Sequence, residues 1–110
     1  MKIIVNIYYT GIQGHARQFA EEMVQSGTVA QIRREEGNLR YDYFFSMEDP
    51  ETVLLIDAWE NQQAIDRHHA SPMMKKITEL RLKYDLHMKV ERTVPAEEPL
   101  PESDKQFIRE

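Results

Sequence analysis

The chain has 110 residues, no cysteine and a formal net charge of −5 at pH 7. This length suits a single domain, and the lack of cysteine excludes disulfides, thiolate nucleophiles, iron–sulfur clusters and cysteine-based zinc sites. The acidic balance argues against nucleic acid as a partner, and no apolar run approaches the roughly 20 residues of a membrane span. The first residues lack the apolar stretch and small-residue cleavage site of a signal peptide, so we expect a cytoplasmic protein with no membrane partner.

The N-terminal third of the chain predicts a strand followed by a broken helix. Residues 2–10 alternate as a strand does, with Asn6 on the face opposite Ile7. Residues 16–32 then carry apolar side chains at helical spacing, with a pause at 26–28 where a glycine interrupts the pattern.

A charged run and a glycine follow this helix. We interpret the run from Arg33 to Glu36 as a solvated helix end. Gly37 then ends the helical segment in the position where a left-handed backbone is common.

The middle of the chain predicts two strands, at residues 38–45 and 52–59, joined by a polar turn at 47–50. Both strands carry apolar or aromatic side chains on both faces, as Tyr43 and the adjacent Phe44 illustrate. A strand with one solvated face would alternate more cleanly. We therefore expect both faces of the sheet to be covered.

The last elements are a pair of helices and a strand. Asn61 or a neighbour caps a helix that runs through His69. Ser71-Pro72 reads as a second cap with proline at the first helical position, and this helix continues to about Tyr84. Residues 86–94 alternate again and predict the fourth strand.

The element order is β-α-β-β-α-β, which predicts an α+β ferredoxin-like fold with a four-stranded antiparallel sheet and helices on one face. The other face of the sheet then needs a cover. A second copy of the same sheet is the simplest one, so we predict a homodimer with a barrel-like interior, a dimeric α+β barrel.

Residues 1–94 form the predicted domain, and residues 95–110 form a C-terminal tail. The tail carries a net charge of −3 and three of the five prolines. This composition is typical of an extended or disordered segment, although Phe107-Ile108 offers an apolar pair that can dock on the partner subunit.

General motifs for cofactors and metals are missing from the sequence. There is no dinucleotide fingerprint, phosphate loop, His-Glu-x-x-His motif or serine nucleophile elbow. His68 and His69 are adjacent and would point about 100° apart on a helix, so they cannot chelate one metal. We therefore expect no metal site and no cofactor.

A group of side chains remains as a candidate small-molecule site. The topology places them on or just after elements that line one sheet cavity, which would be mostly aromatic with a few polar groups. Histidine has the unperturbed pKa suited to proton transfer near neutrality. The group consists of Asn6, Tyr41, Tyr43, Trp59 and His68.

Each member also has a purely structural interpretation. His68 can be a helix-face histidine bonded to the backbone, and Trp59 can be core. Asn6 can satisfy a bulge, because a buried amide needs partners. The tyrosines can fill the barrel, and Met73-Met74 can serve packing alone.

Four segments carry a resemblance to a known family. They are Glu35–Tyr43, Asp49–Glu51, Asp57–Asn61 and Ala64–Pro72. In this order and spacing they resemble the antibiotic biosynthesis monooxygenase (ABM) domain family of dimeric α+β barrels, over about residues 3–94. That family includes cofactor-free quinol monooxygenases, anthrone oxygenases, haem-degrading enzymes and an isomerase of phosphorylated autoinducer-2.

The resemblance assigns roles residue by residue. A histidine three residues before Ser-Pro implies that His68, not His69, is the pocket histidine. Trp59 matches the family's aromatic residue at the end of the third strand, and Asp57 stands where glutamate is usual. With Asn6, these imply a catalytic set of His68, Asn6 and Trp59.

Substrate-binding residues follow from the same resemblance. Asn38 lies in a segment similar to the isomerase branch, and Met73 stands where many members carry a further histidine. Together with the two tyrosines of the candidate small-molecule site, they give a substrate-binding set of Tyr41, Tyr43, Asn38 and Met73. Haem degradation is disfavoured, because that branch has a tryptophan at the position of His68 and its iron-binding histidine at about Thr78.

Three functions follow. The first is a cofactor-independent monooxygenase that oxidises an electron-rich small aromatic, such as a quinol or anthrone, with O₂. The second is an isomerase of a phosphorylated carbonyl compound, with Arg40 or Lys75 as the phosphate anchor. The third is a non-enzymatic, small-molecule-binding dimeric stress protein.

Overall fold

A computed structural model describes residues 1–110. Four strands form one antiparallel sheet in the order β2-β3-β1-β4. The strands are β1 (Ile3–Thr10), β2 (Asn38–Phe45), β3 (Thr52–Trp59) and β4 (His87–Thr93). The helices are α1 (His15–Gln25), α2 (Thr28–Arg33), α3 (Gln62–His69), α4 (Pro72–Lys83) and α5 (Glu102–Lys105). The predicted α+β ferredoxin-like fold with a four-stranded antiparallel sheet is confirmed.

The break between α1 and α2 lies at Gly27, as the sequence pattern predicts. Gly27 has a φ of 83° and is the N-terminal flanking residue of α2. Glycine adopts this left-handed backbone at little energetic cost, whereas a residue with a Cβ would be strained there. The two helices then bury a continuous set of side chains: Ala16, Phe19, Ala20, Met23, Val29 and Ile32.

The core lies between the sheet and the helices. On β1, Ile3 and Tyr9 are buried on the helix-facing side of the sheet, and their partners on β3 are Trp59 and Val53. The alternation predicted for residues 2–10 therefore has its odd-numbered members inside, against the helices.

The outer face of the sheet is the side turned away from the helices. Its half-buried side chains come from β1 and β3: Ile4, Asn6, Tyr8, Leu54 and Ile56. In the single chain nothing covers this face, which is why these apolar side chains remain partly exposed.

Strand β2 departs from the simple alternation at its start. Its pairing with β3 shifts between Asn38 and Arg40, so Leu39 is an extra residue in a bulge. Leu39 is 50% exposed, whereas strict alternation would place it on the same face as the buried Tyr41. The Asn38 side chain donates to the Arg40 carbonyl oxygen at 3.2 Å and so satisfies the bulge backbone.

The residues after Thr93 are exposed throughout. The tail is not wholly extended, because one helical turn, α5, lies within it. No helix of the chain combines the length and apolar character needed to cross a membrane.

Candidate functional site

A cavity of about 270 Å³ lies between the helix-facing side of the sheet and helices α3 and α4. Aliphatic side chains such as Val5, Ile7 and Leu55 line part of it. Its polar and ionisable lining comes from Tyr9, Tyr41, Asp57, Trp59, His68, His69, Arg81 and Arg92.

Helix α3 turns His68 into this cavity. The Asn61 side chain caps the helix by accepting the Ala64 N–H at 2.9 Å. Ala64 and His68 are four residues apart and lie on the same buried helix face with Ile65. His68 therefore occupies a position where the helical pattern would place an apolar side chain, and its ring needs a polar partner.

That partner is Glu35. His68 Nδ1 lies 2.7 Å from Glu35 Oε2, and the two side chains are 7% and 13% exposed. The interpretation of the Arg33–Glu36 run as a solvated helix end is therefore wrong at Glu35. The carboxylate folds inward, while the neighbouring Glu36 remains exposed.

Gly37 allows the loop that carries Glu35 to approach α3. It has a φ of 86°, and a Cβ placed on it would lie 2.5 Å from the Ala64 Cβ. The Glu60 N–H donates to the Gly37 carbonyl oxygen at 2.8 Å, which fixes the loop to the end of β3. Only glycine fits this close, left-handed approach, so Gly37 does more than end a helix.

Trp59 and Asp57 form a second polar pair beside the histidine. The Trp59 Nε1–H donates to Asp57 Oδ2 at 2.7 Å. The indole ring stacks on the His68 ring with 4.7 Å between centroids and 30° between planes. Asp57 Oδ1 is buried and has no hydrogen-bond partner. This carboxylate oxygen can therefore accept a hydrogen bond from a ligand that enters the cavity.

Burial changes the protonation of both ionisable groups. Burial lowers the pKa of His68, and the Glu35 carboxylate opposes this shift. The imidazole is therefore neutral near pH 7, and the carboxylate at Nδ1 holds the proton there. Burial raises the pKa of Asp57 to about 6, against the hydrogen bond from Trp59.

The two cavity tyrosines are hydrogen-bonding groups rather than bases. Burial raises the pKa of Tyr9 and of Tyr41 above the usual range. Both phenols therefore stay protonated near neutral pH. The Tyr41 ring also lies edge-on to His68, with 6.3 Å between ring centroids.

The structure brings three of the sequence-predicted site residues together, namely His68, Trp59 and Tyr41. It places Asn6 on the outer face of the sheet, opposite Ile56 and Glu91, because neighbouring Val5 and Ile7 point into the cavity. Asn6 therefore does not line the cavity with the others, contrary to the expectation.

Three further predicted residues also lie outside this cavity. Tyr43 borders a separate groove between α1 and β2. Asn38 bonds the bulge backbone. Met73 packs against the core, while the adjacent Met74 lines the cavity.

The two proposed phosphate anchors are also elsewhere. Arg40 pairs with Asp42 at 3.0 Å and lies over the Phe44 ring, and Lys75 is exposed on α4. The cations that line the cavity are Arg81 and Arg92. The sequence carries one signal for Arg81 and Arg92. Each is a charged residue at a position where the helix or strand pattern would place an apolar side chain.

No three histidine, aspartate or glutamate side chains of the chain are grouped so as to hold a metal ion. The site itself offers a neutral histidine held by a carboxylate, a buried aspartate, two phenols and an indole.

Comparison with known families and structures places this geometry in context. The profile of a family described as antibiotic biosynthesis monooxygenase matches residues 2–80. No curated protein matches the chain.

Several solved structures share the fold. SnoaB, a cofactor-independent oxygenase from Streptomyces nogalater, superposes with a TM-score of 0.73 at 19% identity, over 92% of this chain and 98% of SnoaB. PA3566 from Pseudomonas aeruginosa superposes with a TM-score of 0.73 at 22% identity, over 86% of this chain and 94% of PA3566. A third structure comes from Deinococcus radiodurans and has a provisional antibiotic biosynthesis monooxygenase assignment. It superposes with a TM-score of 0.75 at 19% identity, over 90% of this chain and 97% of that protein.

Proposed function

Because the chain belongs to the antibiotic biosynthesis monooxygenase family, we propose that it is a cofactor-independent monooxygenase of a small, electron-rich aromatic. Its substrate would be a quinol-like compound, and O₂ would be the second substrate. SnoaB, which shares the fold, is a cofactor-independent oxygenase. The observation that carries the proposal is the buried His68–Glu35 pair beside Trp59 and the cavity.

The His68–Glu35 pair has the arrangement of a general base. The Nδ1 proton faces Glu35 Oε2 at 2.7 Å, which leaves the Nε2 lone pair for a phenolic proton. Once Nε2 takes the proton, the adjacent carboxylate stabilises the imidazolium. Burial, by lowering the His68 pKa, keeps the base unprotonated near neutral pH.

The substrate itself supplies the electrons. After His68 removes the hydroxyl proton, the phenolate passes one electron to O₂, and the two radicals combine to form a carbon–oxygen bond. The O–O bond of the resulting peroxide then breaks, leaving one oxygen in the product and releasing the other as water. A quinol converted to a hydroxyquinone provides all four electrons, so no reductant is needed.

The other polar groups suit a binding role. Tyr41 and Trp59 border the histidine, and the free Asp57 Oδ1 can accept a hydrogen bond from a second hydroxyl group. The cavity, at about 270 Å³, falls just below the ~300–1,000 Å³ range of sites for drug-sized ligands. A one-ring quinol therefore fits better than a polycyclic anthrone.

The test is oxygen uptake by purified protein treated with a metal chelator, using a panel of reduced quinones. A monooxygenase consumes one O₂ per quinol and releases no hydrogen peroxide, so added catalase returns no oxygen. His68→Gln is expected to lower kcat/KM by ~10²–10⁴-fold, the usual contribution of a general base.

His87→Gln is the matched control, because His87 lies in β4 outside the cavity. Uptake no faster than the blank across the panel would reject the proposal. Equal rates for wild type and His68→Gln would reject His68 as the base.

We also propose that two copies pair through the outer faces of their sheets. Leu54, Ile56 and Tyr8 leave an apolar surface there, and Lys89 lies over the Tyr8 ring at its margin, 5.8 Å from the centroid. Burying this surface against itself would form a closed, twofold interior. Sedimentation equilibrium measures the mass, and a monomer at all concentrations would reject this pairing.

A further inference from the structure

Two arginines line the part of the cavity that lies away from His68. Arg81 lies in the last turn of α4, and Arg92 lies near the end of β4. His68, Glu35 and Trp59 lie instead beside β2 and β3. The sheet order puts β1 between β3 and β4, so the two polar ends are separated by about 10 Å of sheet, or two strand spacings.

The register confirms that Arg92 points toward the helices. Arg92 pairs with Val5 on β1, and Val5 pairs with Asp57 on β3. Residues paired across neighbouring strands share a face, so all three side chains project to the cavity side. Arg81 reaches the same edge strand, β4, where it donates to Met88 Sδ at 3.2 Å, four residues before Arg92, and both arginines line the cavity.

Neither guanidinium has a carboxylate within ion-pair distance. The five ion pairs of the chain involve Arg33, Arg40, His68, Lys83 and Lys105. Thioether sulfur, the partner of Arg81, is a weak acceptor. Two arginines at one cavity edge, with their forked donors left for an external acceptor, are typical of carboxylate or phosphate recognition.

We propose that the substrate carries an acidic group, which Arg81 and Arg92 bind while the reacting hydroxyl lies at His68. This rests on the proposed function for the role of His68, but the acid-binding part stands on the arginines alone. The apolar stretch formed by Val5, Ile7 and Leu55 between the two ends receives the ring. The buried Asp57 repels a carboxylate from the histidine end, so the two ends together impose one orientation.

The experiment compares acids with neutral analogues of matched shape. The first pair is 2,5-dihydroxyphenylacetate and its methyl ester, and the second is 4-hydroxyphenyl phosphate and its dimethyl ester. Calorimetric titration without oxygen measures Kd in wild type and in Arg81→Gln, Arg92→Gln, the double variant and Lys89→Gln. Lys89 is the control, because it lies on the same strand with its side chain over Tyr8 on the outer face.

The acid of at least one pair is expected to bind about tenfold tighter than its neutral partner, as a charge-assisted guanidinium contact implies. The preference should shrink in each single variant, disappear in the double variant and persist in Lys89→Gln. The pair with the larger preference identifies the group as carboxylate or phosphate. Equal binding of acid and neutral analogue, no binding of either acid, or a preference that survives the double variant would overturn the inference.

Oxygen uptake with 2,5-dihydroxyphenylacetate and its methyl ester, the pair that has two free ring hydroxyl groups, separates this inference from the proposed function. An acid preference that depends on the arginines, without oxygen uptake, supports the binding site and rejects the monooxygenase. Uptake that depends on His68 but is equal for acid and ester supports the monooxygenase and rejects the acid-binding site.

Discussion

The helix-facing side and the outer face of the sheet both carry apolar side chains, but the cavity beside the buried His68–Glu35 pair lies on the helix-facing side. On β3, Leu55 is 1% exposed beneath the helices, while its neighbour Ile56 is half-buried on the outer face. The ionisable groups differ in the same way. Asp57 is buried without a cation, whereas Asp42 on the outer face pairs with Arg33 and Arg40.

The two faces of the sheet therefore separate the proposed association surface from the candidate site. The outer face leaves apolar side chains partly exposed in the single chain, which is the basis of the proposed pairing. The helix-facing side holds buried polar groups that reduce stability unless they are partnered, and such groups are typical of functional sites. The following predictions test that division, from the largest expected effect to the smallest.

The largest effect is expected from truncating the two adjacent β3 side chains. Leu55→Ala should lower the free energy of unfolding by about 2–5 kcal/mol, as for other fully buried leucines. Ile56→Ala should cost more stability where the chain is dimeric than where it is monomeric, so its effect should shrink on dilution. Urea denaturation at several protein concentrations measures both, and a concentration-independent loss at Ile56 would contradict the proposed pairing.

Asp57→Asn should stabilise the protein at alkaline pH. The folded-state pKa is raised to about 6, so the stability linked to the protonated acid is present below the unfolded pKa and lost as pH rises through 6. The asparagine amide keeps an acceptor for the Trp59 N–H but carries no charge. The gain, measured by urea denaturation, should approach ~3 kcal/mol at pH 8 and fall below ~1 kcal/mol at pH 4.

Asp42→Asn is the control for that charge difference. Asp42 is paired and partly exposed, so its replacement should change stability by less than ~1 kcal/mol and in the destabilising direction. A similar pH-dependent gain for both variants would show that burial of Asp57 is not the cause.

Glu35→Gln should lower kcat about tenfold or more, the equivalent of ~1.4 kcal/mol in barrier height, because the imidazolium loses its carboxylate. Glu35 opposes the effect of burial on the His68 pKa, so the acid limb of the pH–rate profile should also move to lower pH. The exposed Glu36, replaced by Gln, is the matched control. An unchanged profile for Glu35→Gln would show that Glu35 only supports the fold.

The smallest effect is expected at Asn6. Because its side chain lies on the outer face, Asn6→Ala should leave the Kd of any cavity ligand unchanged within about twofold, a difference below ~0.5 kcal/mol. Calorimetric titration measures it. A tenfold loss would show that Asn6 acts on the site.

Much of the fold follows from the sequence because periodicity is local. The strand bounds 38–45 and 52–59 agree with β2 and β3, and the break at Gly27 and the cap at Asn61 follow from local backbone chemistry. His68 stands out for a similar reason, since a histidine interrupts an apolar helix face. Trp59 follows from the family resemblance at the end of the third strand, and Tyr41 from the aromatic character of residues 38–45.

Only the tertiary structure decides which residues complete the site. Glu35 is 33 positions from His68, and charge patterning places it in solvent because no periodicity extends beyond α2. Its approach depends on the left-handed Gly37 packed on Ala64, a contact between distant segments. The face occupied by Asn6 is likewise set by which side of the sheet the helices cover, and alternation alone treats the two sides as equivalent.

The composition and element order of the chain show the same difference between what a sequence determines and what packing decides. The lack of cysteine and the element order by themselves determine an α+β fold with no thiol chemistry in these residues. Whether its histidine is a base, and whether its arginines face a ligand or solvent, depends on which side chains the fold brings within hydrogen-bond distance. A sequence records the order of the chain, whereas burial and partner distances exist only after the sheet and helices pack together.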